Sequence, residues 1–173
     1  TKTRTAEQVA EQAAGMGGAI AINVGPDQTQ IQGDALSEFG PKMVALLADV
    51  AQNPLLPESE LPRLKKDAAR KLSIALSQPG NIARQHFLKL MFPEHPYGRM
   101  YPTEEMIAKY GIAEVRGFYG RNFGAARTHV YVAGKFDADR LLRALAEHEI
   151  TNLSAAATHY RMMKTAGTAG RYR

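Results

Sequence analysis

Apolar positions in the first seventeen residues repeat with a helical period. Thr5 and Gln8 form a Thr-x-x-Gln capping box, which predicts that a helix begins at this point. Val9 and Ala13 follow as an apolar stripe, and Gly17 is a natural stop. The chain therefore opens with an amphipathic helix.

The period then changes to that of strands. Residues 18–24 (GAIAINV) are small or β-branched, and residues 29–36 (TQIQGDAL) alternate between apolar and polar. The turn at Gly25–Asp27 lies between them, so we expect an antiparallel hairpin in which Ile31 shares a face with the neighbouring strand.

Helical spacing dominates the middle of the chain. A long helix over residues 58–77 carries one predicted apolar stripe, made of Leu61, Leu64, Ala68, Leu72 and Ala75, and Pro79-Gly80 is its predicted stop. The other predicted helices, separated after residue 91 by a loop over residues 92–102, are 41–53, 82–91, 104–109 and 113–123.

One strand and one helix are predicted near the end. Residues 128–133 (THVYVA) predict a strand, and Asp137 caps a helix with Leu141, Leu142 and Leu145 on its core face. The pattern as a whole predicts an α+β fold, with an antiparallel or mixed sheet covered by helices on one face. We interpret residues 1–150 as one domain and residues 151–173, which lack periodicity, as a linker or disordered tail.

Composition narrows the possible chemistry. The 173 residues are 45% hydrophobic and 23% charged, values typical of a globular protein. The chain has no cysteine, which excludes disulfides, thiolate nucleophiles and cysteine-based zinc sites. No apolar run reaches the roughly 18 residues that a membrane-spanning helix requires, so we predict no membrane span.

The net charge of +5 raises the question of a nucleic-acid partner. The basic residues concentrate in the long helix and in the tail, and no aromatic residue lies among those of the helix. We therefore predict a solvated helix face and a basic tail, with no nucleic-acid partner. The residues concerned are Arg63, Lys65, Lys66, Arg70, Lys71, Arg161, Lys164, Arg171 and Arg173.

Several short signatures occur in an order that resembles the N-terminal domain of the insulinase (pitrilysin) family of zinc peptidases, which includes mitochondrial processing peptidase. The resemblance covers residues 1–150 and lies in the joint order of its motifs. These are TKTRT, Met16-Gly17-Gly18, Ala48-Asp49, Asn53-Pro54, Glu58, Glu60-Leu61, Phe92-Pro93, His95-Pro96-Tyr97-Gly98, Phe118-Tyr119 and Val132-Ala133-Gly134.

The resemblance implies a zinc site in active members. Those members carry H-x-x-E-H on a helix that precedes the residues matched here, so we expect this chain to lack the first segment of the domain. No histidine of this chain has a second histidine three or four residues later, so the pair of histidine ligands is missing; the five are His86, His95, His129, His148 and His159. We predict no catalytic residue and no cofactor in this chain.

A third family ligand, a glutamate on the long helix, falls within the chain. Ungapped counting through Asn53 and Glu60 matches that position to Lys71, and a supporting acid to Leu64. An ammonium group has no lone pair to donate to zinc. We therefore predict that this helix holds no metal, and that Leu64 instead continues the core stripe.

The resemblance also implies a peptide-binding strand. In active relatives, the substrate adds to the edge of the strand that follows the Gly-Gly signature. Small side chains there leave room for a second backbone, although they also suit a hairpin packed under a helix. The candidate peptide-binding residues are Gly18, Ala19, Ile20, Ala21, Ile22 and Asn23.

These expectations point to a non-catalytic family domain. The family contains complexes in which a zinc-bearing subunit is paired with a degenerate one, so we expect a homo- or hetero-oligomer with another insulinase-like domain that encloses a peptide substrate. The alternative is a fragment of an active zinc-dependent metallopeptidase that hydrolyses peptides. The resemblance further implies the bacterial periplasm as the compartment.

Overall fold

The computed structural model describes residues 1–148 and 153–154. These residues form two compact units, one built from Thr1–Leu55 and the described residues from Tyr119 onward, the other from Leu56–Phe118. The elements of the first unit are α1 (Ala6–Gly15), β1 (Ile20–Val24), β2 (Thr29–Gly33), α2 (Gly40–Gln52), β3 (Val130–Tyr131), α7 (Ala138–Glu147) and β4 (Leu153–Ser154). The second unit contains α3 (Leu61–Leu76), α4 (Pro79–Met91) and α5 (Glu104–Lys109), and the chain passes from it to the first unit within α6 (Ile112–Asn122).

The first helix begins and ends as predicted. The Thr5 hydroxyl accepts a hydrogen bond from the Gln8 backbone N–H, and the Gln8 side chain accepts one from the Thr5 N–H. At the other end Gly17 has φ +75°, a left-handed conformation that glycine adopts without strain. The N–H groups of Gly17 and Gly18 donate to the carbonyls of Ala14 and Ala13, which completes a Schellman motif.

β1 and β2 form the predicted antiparallel hairpin, in continuous register from Ile20 opposite Gly33 to Val24 opposite Thr29. Ile20 packs on a core of Ala13, Met16, Met43 and Leu46. A Cβ at Gly33 would press on the side chains of Met43 and Leu47, so the absence of a side chain at Gly33 lets α2 lie close to the hairpin. One face of the hairpin is thus covered by helices, and the α+β class is confirmed.

α7 supplies a second apolar surface to the first unit. Asp137 accepts a hydrogen bond from the Arg140 N–H and caps the helix, as predicted. Leu141, Leu142 and Leu145 are buried, and α7 packs on α2. Because these leucines recur at helical spacing, the core face of α7 was readable directly from the sequence.

The second unit differs from the prediction at two helix boundaries. The long helix begins at Leu61, after a 3-10 turn over Glu58–Glu60, because Pro62 suits the first turn of an α-helix. Pro79, predicted to be part of a stop, is the first residue of α4, since its fixed φ and missing N–H are compatible with a helix start. In contrast, α5 spans the predicted residues.

The strand predicted over residues 128–133 is reduced to β3, and a 3-10 turn over Ala125–Arg127 precedes it. β3 pairs in parallel with β4, so that Val130 lies opposite Leu153. Most of residues 151–173 lies outside the described residues, and the division of the chain at residue 150 stays a prediction. Among the helices described, none has the length and apolar character needed to cross a membrane.

Candidate functional site

The two family positions on α3 lie on an exposed side of the helix. The Leu64 residue is 51% exposed and Lys71 is exposed, whereas Leu72 is buried. The prediction that Leu64 continues the core stripe is therefore wrong. At about 100° per residue, positions 64, 68 and 71 share one sector of the helix, and positions 61, 65 and 72 share the sector that faces the core.

Hydrogen bonding explains how a lysine comes to lie on the inner sector. Lys65 Nζ donates to the Ala108 carbonyl oxygen of α5 at 2.7 Å. The charged end of this half-buried side chain is thus satisfied by a backbone acceptor. The predicted stripe combined residues from two sectors because Leu and Ala occur in both.

α3 carries many more basic residues than acidic ones. Asp67, the one acidic residue of this helix, lies 3.3 Å from Arg63 and 3.9 Å from Arg70 in ion pairs. Glu60 pairs with Arg63 at 2.7 Å, and its hydrogen bond raises the pKa of the Arg63 guanidinium. Within the described residues, neither Lys66 nor Lys71 takes part in an ion pair.

This donor set does not fit a zinc ion. Leu64 has no donor atom, and the Lys71 ammonium has no lone pair and carries a charge that repels a cation. In the part of the chain that the structure describes, no three His, Cys, Asp or Glu side chains come together as a group that could hold a metal ion. We therefore derive no chemical step through a metal on this chain.

The candidate peptide-binding residues form the hairpin's first strand and its approach. Ala19 pairs with Asp34 through a backbone hydrogen bond of 3.1 Å, and Gly25 pairs with Gln28 at 2.8 Å. Because hydrogen-bonded pairs alternate along an antiparallel ladder, the N–H and C=O groups of Ile20, Ile22 and Val24 point away from β2. No other described strand pairs with β1.

The small residues before and within β1 have different roles. A Cβ at Gly18 would overlap the backbone carbonyl of Asp34, so glycine is required there by packing. Ala19 and Ala21 are exposed and make room on the outer face of the hairpin. Gly18 is therefore required by the close approach of the Asp34 backbone and not by a helix, while Ala19 and Ala21 are exposed.

An unpredicted polar cluster joins three of the family signatures. The Asp49 carboxylate accepts hydrogen bonds from Arg4 Nη1 at 2.7 Å, Asn53 Nδ2 at 3.0 Å and Thr3 Oγ1 at 3.1 Å. The Lys2 N–H also donates to the Asn53 carbonyl at 2.8 Å. The Asp49 side chain is 11% exposed. The spacing of Asp49 and Asn53, four residues apart on an apolar helix, was the sequence signal for this cluster.

The surroundings of Asp49 change its acidity. Partial burial alone would raise the pKa of this carboxyl, but hydrogen bonds from Thr1, Arg4, Asn53 and Thr3 outweigh burial and hold the pKa below its ordinary value. The carboxylate is thus stabilised in its charged form. This arrangement fixes the start of the chain against α2.

The His95-Pro96-Tyr97-Gly98 signature is a structural turn. His95 Nδ1 accepts a hydrogen bond from the Tyr97 N–H at 3.2 Å, and the two rings meet edge to face at 4.7 Å. A Cβ at Gly98 would overlap the carbonyl oxygen of Phe92, so this position requires glycine. His95 therefore caps a 3-10 turn.

Tyr119 of the Phe118-Tyr119 signature also has a packing role. Its hydroxyl donates to the Ala51 carbonyl at 2.6 Å and so ties α6 to the end of α2. Partial burial raises the pKa of this phenol. The hydroxyl is therefore neutral at physiological pH and available as a hydrogen-bond donor.

Curated bacterial proteins are similar to this chain along most of its length. A protein of Rickettsia bellii named as an uncharacterized zinc protease is 28% identical over 90% of this chain and 40% of its own length. Proteins of the same description from Rickettsia felis and Mycobacterium leprae are 24% identical over 82% and 25% identical over 86% of this chain. These two matches cover 35% and 34% of the relatives, so the chain spans about two fifths or less of the length of these three proteins.

The sequence model of the insulinase family (peptidase family M16) matches residues 1–102. These residues include the Asp49 cluster, the β1–β2 hairpin, all of α3 and the His95 turn. Most of the family signatures in the matched region thus have a hydrogen-bonding or packing role in the structure. The chain belongs to the insulinase family of peptidases.

Proposed function

We propose that this chain is a non-catalytic insulinase-family domain that pairs with another insulinase-like domain and helps to enclose a peptide substrate in a peptidase complex. The observation that carries the proposal is the pair Leu64 and Lys71 on the exposed sector of α3. At the two positions where active relatives are expected to offer carboxylates, this chain has an aliphatic leucine and a lysine cation.

The edge of β1 that no other described strand covers supports the peptide part of the proposal. Extended peptides bind sheet edges through main-chain hydrogen bonds, and Ile20, Ile22 and Val24 direct their backbone groups outward. Ala19 and Ala21 add little bulk beside this edge. The proposed peptide site is thus residues 18–23 together with Val24, which we add because of the ladder geometry.

The zinc content of the full-length protein tests the non-catalytic role. After gel filtration without added metal, we expect well below one zinc per chain by plasma mass spectrometry and no peptide hydrolysis by the isolated protein. Hydrolysis is expected when a zinc-bearing insulinase-like protein from the same genome is added. Lys71→Ala should leave the zinc content unchanged, because an ammonium group is not a ligand.

The second candidate is a fragment of an active zinc-dependent metallopeptidase. The observation in its favour is that the similar Rickettsia and Mycobacterium proteins are named as zinc proteases. Under this alternative, the isolated full-length protein retains one zinc per chain and hydrolyses peptides until a chelator is added. That result would overturn the non-catalytic proposal.

We also propose that the complex works in the bacterial periplasm, in keeping with the expectation drawn from the family. Fractionation of cells that express the full-length protein tests this compartment. Recovery with periplasmic marker enzymes is expected, and recovery with cytosolic markers would contradict it.

A further inference from the structure

The two faces of the β1–β2 hairpin differ in chemistry. Successive side chains of a strand point to opposite faces, and residues paired across the ladder share a face. One face holds the branched apolar side chains of the hairpin, Ile20, Ile22, Val24 and Ile31, together with Thr29 and Gly33. The other face holds small or polar side chains, which are Ala21, Asn23, Gln30 and Gln32.

The apolar face is only partly covered. Ile20 is half-buried because it packs on the core of the first unit. Ile22 lies opposite Ile31 in a pair without backbone hydrogen bonds between its members, the kind in which side chains approach most closely. Even so, Ile22 is 55% exposed and Val24 is 79% exposed. A further strand at the edge of β1 would place its own side chain beside Ile22, on the same face.

We propose that β1 selects extended peptides with apolar side chains at every second position, and that Ile22 is the residue that determines this preference. The inference rests on the proposed function, in which a peptide adds to the edge of β1. Either direction of the peptide places alternate side chains on the face of Ile22. A row of three apolar side chains then crosses the sheet, from Ile31 through Ile22 to the peptide, and such cross-strand contacts stabilise a sheet.

The polar groups of the hairpin favour alternation over a peptide that is charged or apolar throughout. Neither β1 nor β2 contains a charged residue, so these strands provide no ion-pair partner for a charge placed beside Ile22. A charged side chain there would lose hydration without compensation. On the opposite face, Ala21 and Asn23 are exposed and leave the remaining peptide side chains in water. The recognised feature is thus one apolar edge of the peptide.

Two short labelled peptides test the preference by fluorescence anisotropy with the full-length protein. In the first peptide valine alternates with serine, and in the second threonine replaces every valine. Valine and threonine are both β-branched and favour strands, so the comparison isolates the apolar contact. A chelator is present throughout, so that hydrolysis does not consume either peptide. We expect the threonine peptide to bind at least tenfold more weakly.

A charge on one face or the other tests the role of Ile22. Ile22→Lys is expected to weaken the valine peptide at least tenfold and to strengthen a third peptide, in which glutamate replaces every valine. Gln32→Lys is the matched control, because it adds the same charge to the opposite face of β2. It should change the dissociation constant of the valine peptide by less than about threefold. Both positions are exposed, so both variants should keep the wild-type circular dichroism spectrum.

The outcomes separate this inference from the proposed function. Equal binding of the valine and threonine peptides, or equal effects of Ile22→Lys and Gln32→Lys, would overturn the inference and leave peptide binding at the edge in place. If none of the three peptides binds at millimolar concentration, the peptide part of the proposed function fails, and the inference fails with it.

Discussion

The Asp49 carboxylate receives hydrogen bonds from Thr3 and Arg4, and in this way it secures the start of the chain to α2. Asp49→Asn removes the charge that pairs with Arg4 and leaves its donors poorly satisfied. We expect the free energy of unfolding at pH 7 to fall by about 1–3 kcal/mol, measured by urea denaturation. Asp67→Asn, whose ion pairs are more exposed, should cost less than about 1 kcal/mol.

The same carboxylate predicts a pH dependence. Its pKa is lowered in the folded state, so its contribution to stability is complete above the ordinary value of 3.8, declines below it and is lost as the pH falls through the folded-state pKa. The difference in stability between wild type and Asp49→Asn should therefore shrink as the pH is lowered from 5 to acidic values. A difference that stays constant over this range would contradict the pairing of Arg4 with Asp49.

Gly18 was a candidate peptide-binding residue with hairpin packing as the alternative, and the structure shows a packing constraint at this position. A Cβ at this position would overlap the Asp34 carbonyl, so Gly18→Ala should reduce stability by about 1–3 kcal/mol. Gly15→Ala is the control, because nothing lies within 4 Å of a Cβ there, and in the last turn of α1 it should be neutral or stabilise by up to about 1 kcal/mol. If Gly18→Ala and Gly15→Ala change the thermal unfolding temperature equally, the packing constraint at Gly18 is refuted.

Helices were predicted well because their signals are local. The capping box located α1, and a capping residue with leucine spacing located α7, since neither signal requires knowledge of a distant partner. The strand over residues 128–133 was overestimated because strand length depends on a pairing partner, and β4 offers only two residues. The Asp49 cluster joins residues 45 positions apart, which periodicity does not reveal.

α3 offers a direct test of which sector faces the core. Leu72 is buried and Leu64 is half exposed, although both belong to the stripe predicted from the sequence. Leu72→Ala should reduce the free energy of unfolding by about 2–5 kcal/mol, and Leu64→Ala by no more than about 0.5 kcal/mol. If the two variants lose comparable free energy of unfolding in urea denaturation, the single core stripe predicted from the sequence is supported instead.

The molecule carries an excess of positive charge without a nucleic-acid-binding pattern. On α3, Arg63 and Arg70 are paired with acids and Lys65 is bonded to a backbone carbonyl, which leaves Lys66 and Lys71 as the cations without an ion pair among the described residues of this helix. We expect weak retention of double-stranded DNA at 150 mM salt in filter binding. Tight retention with a steep salt dependence would contradict this prediction, because it would indicate many phosphate contacts.

The core between α1, the hairpin and α2 contains two thioethers, those of Met16 and Met43, and both residues are buried. Since the chain has no cysteine, methionine is its only sulfur that oxidants can attack. A sulfoxide at either position would place a polar group among apolar side chains. Under dilute peroxide, peptide mass spectrometry should find the exposed Met91 oxidised before Met16 and Met43, which follow only as the fold opens. A sulfoxide at either residue would then hold the first unit open, so that oxidation of one methionine promotes oxidation of the other.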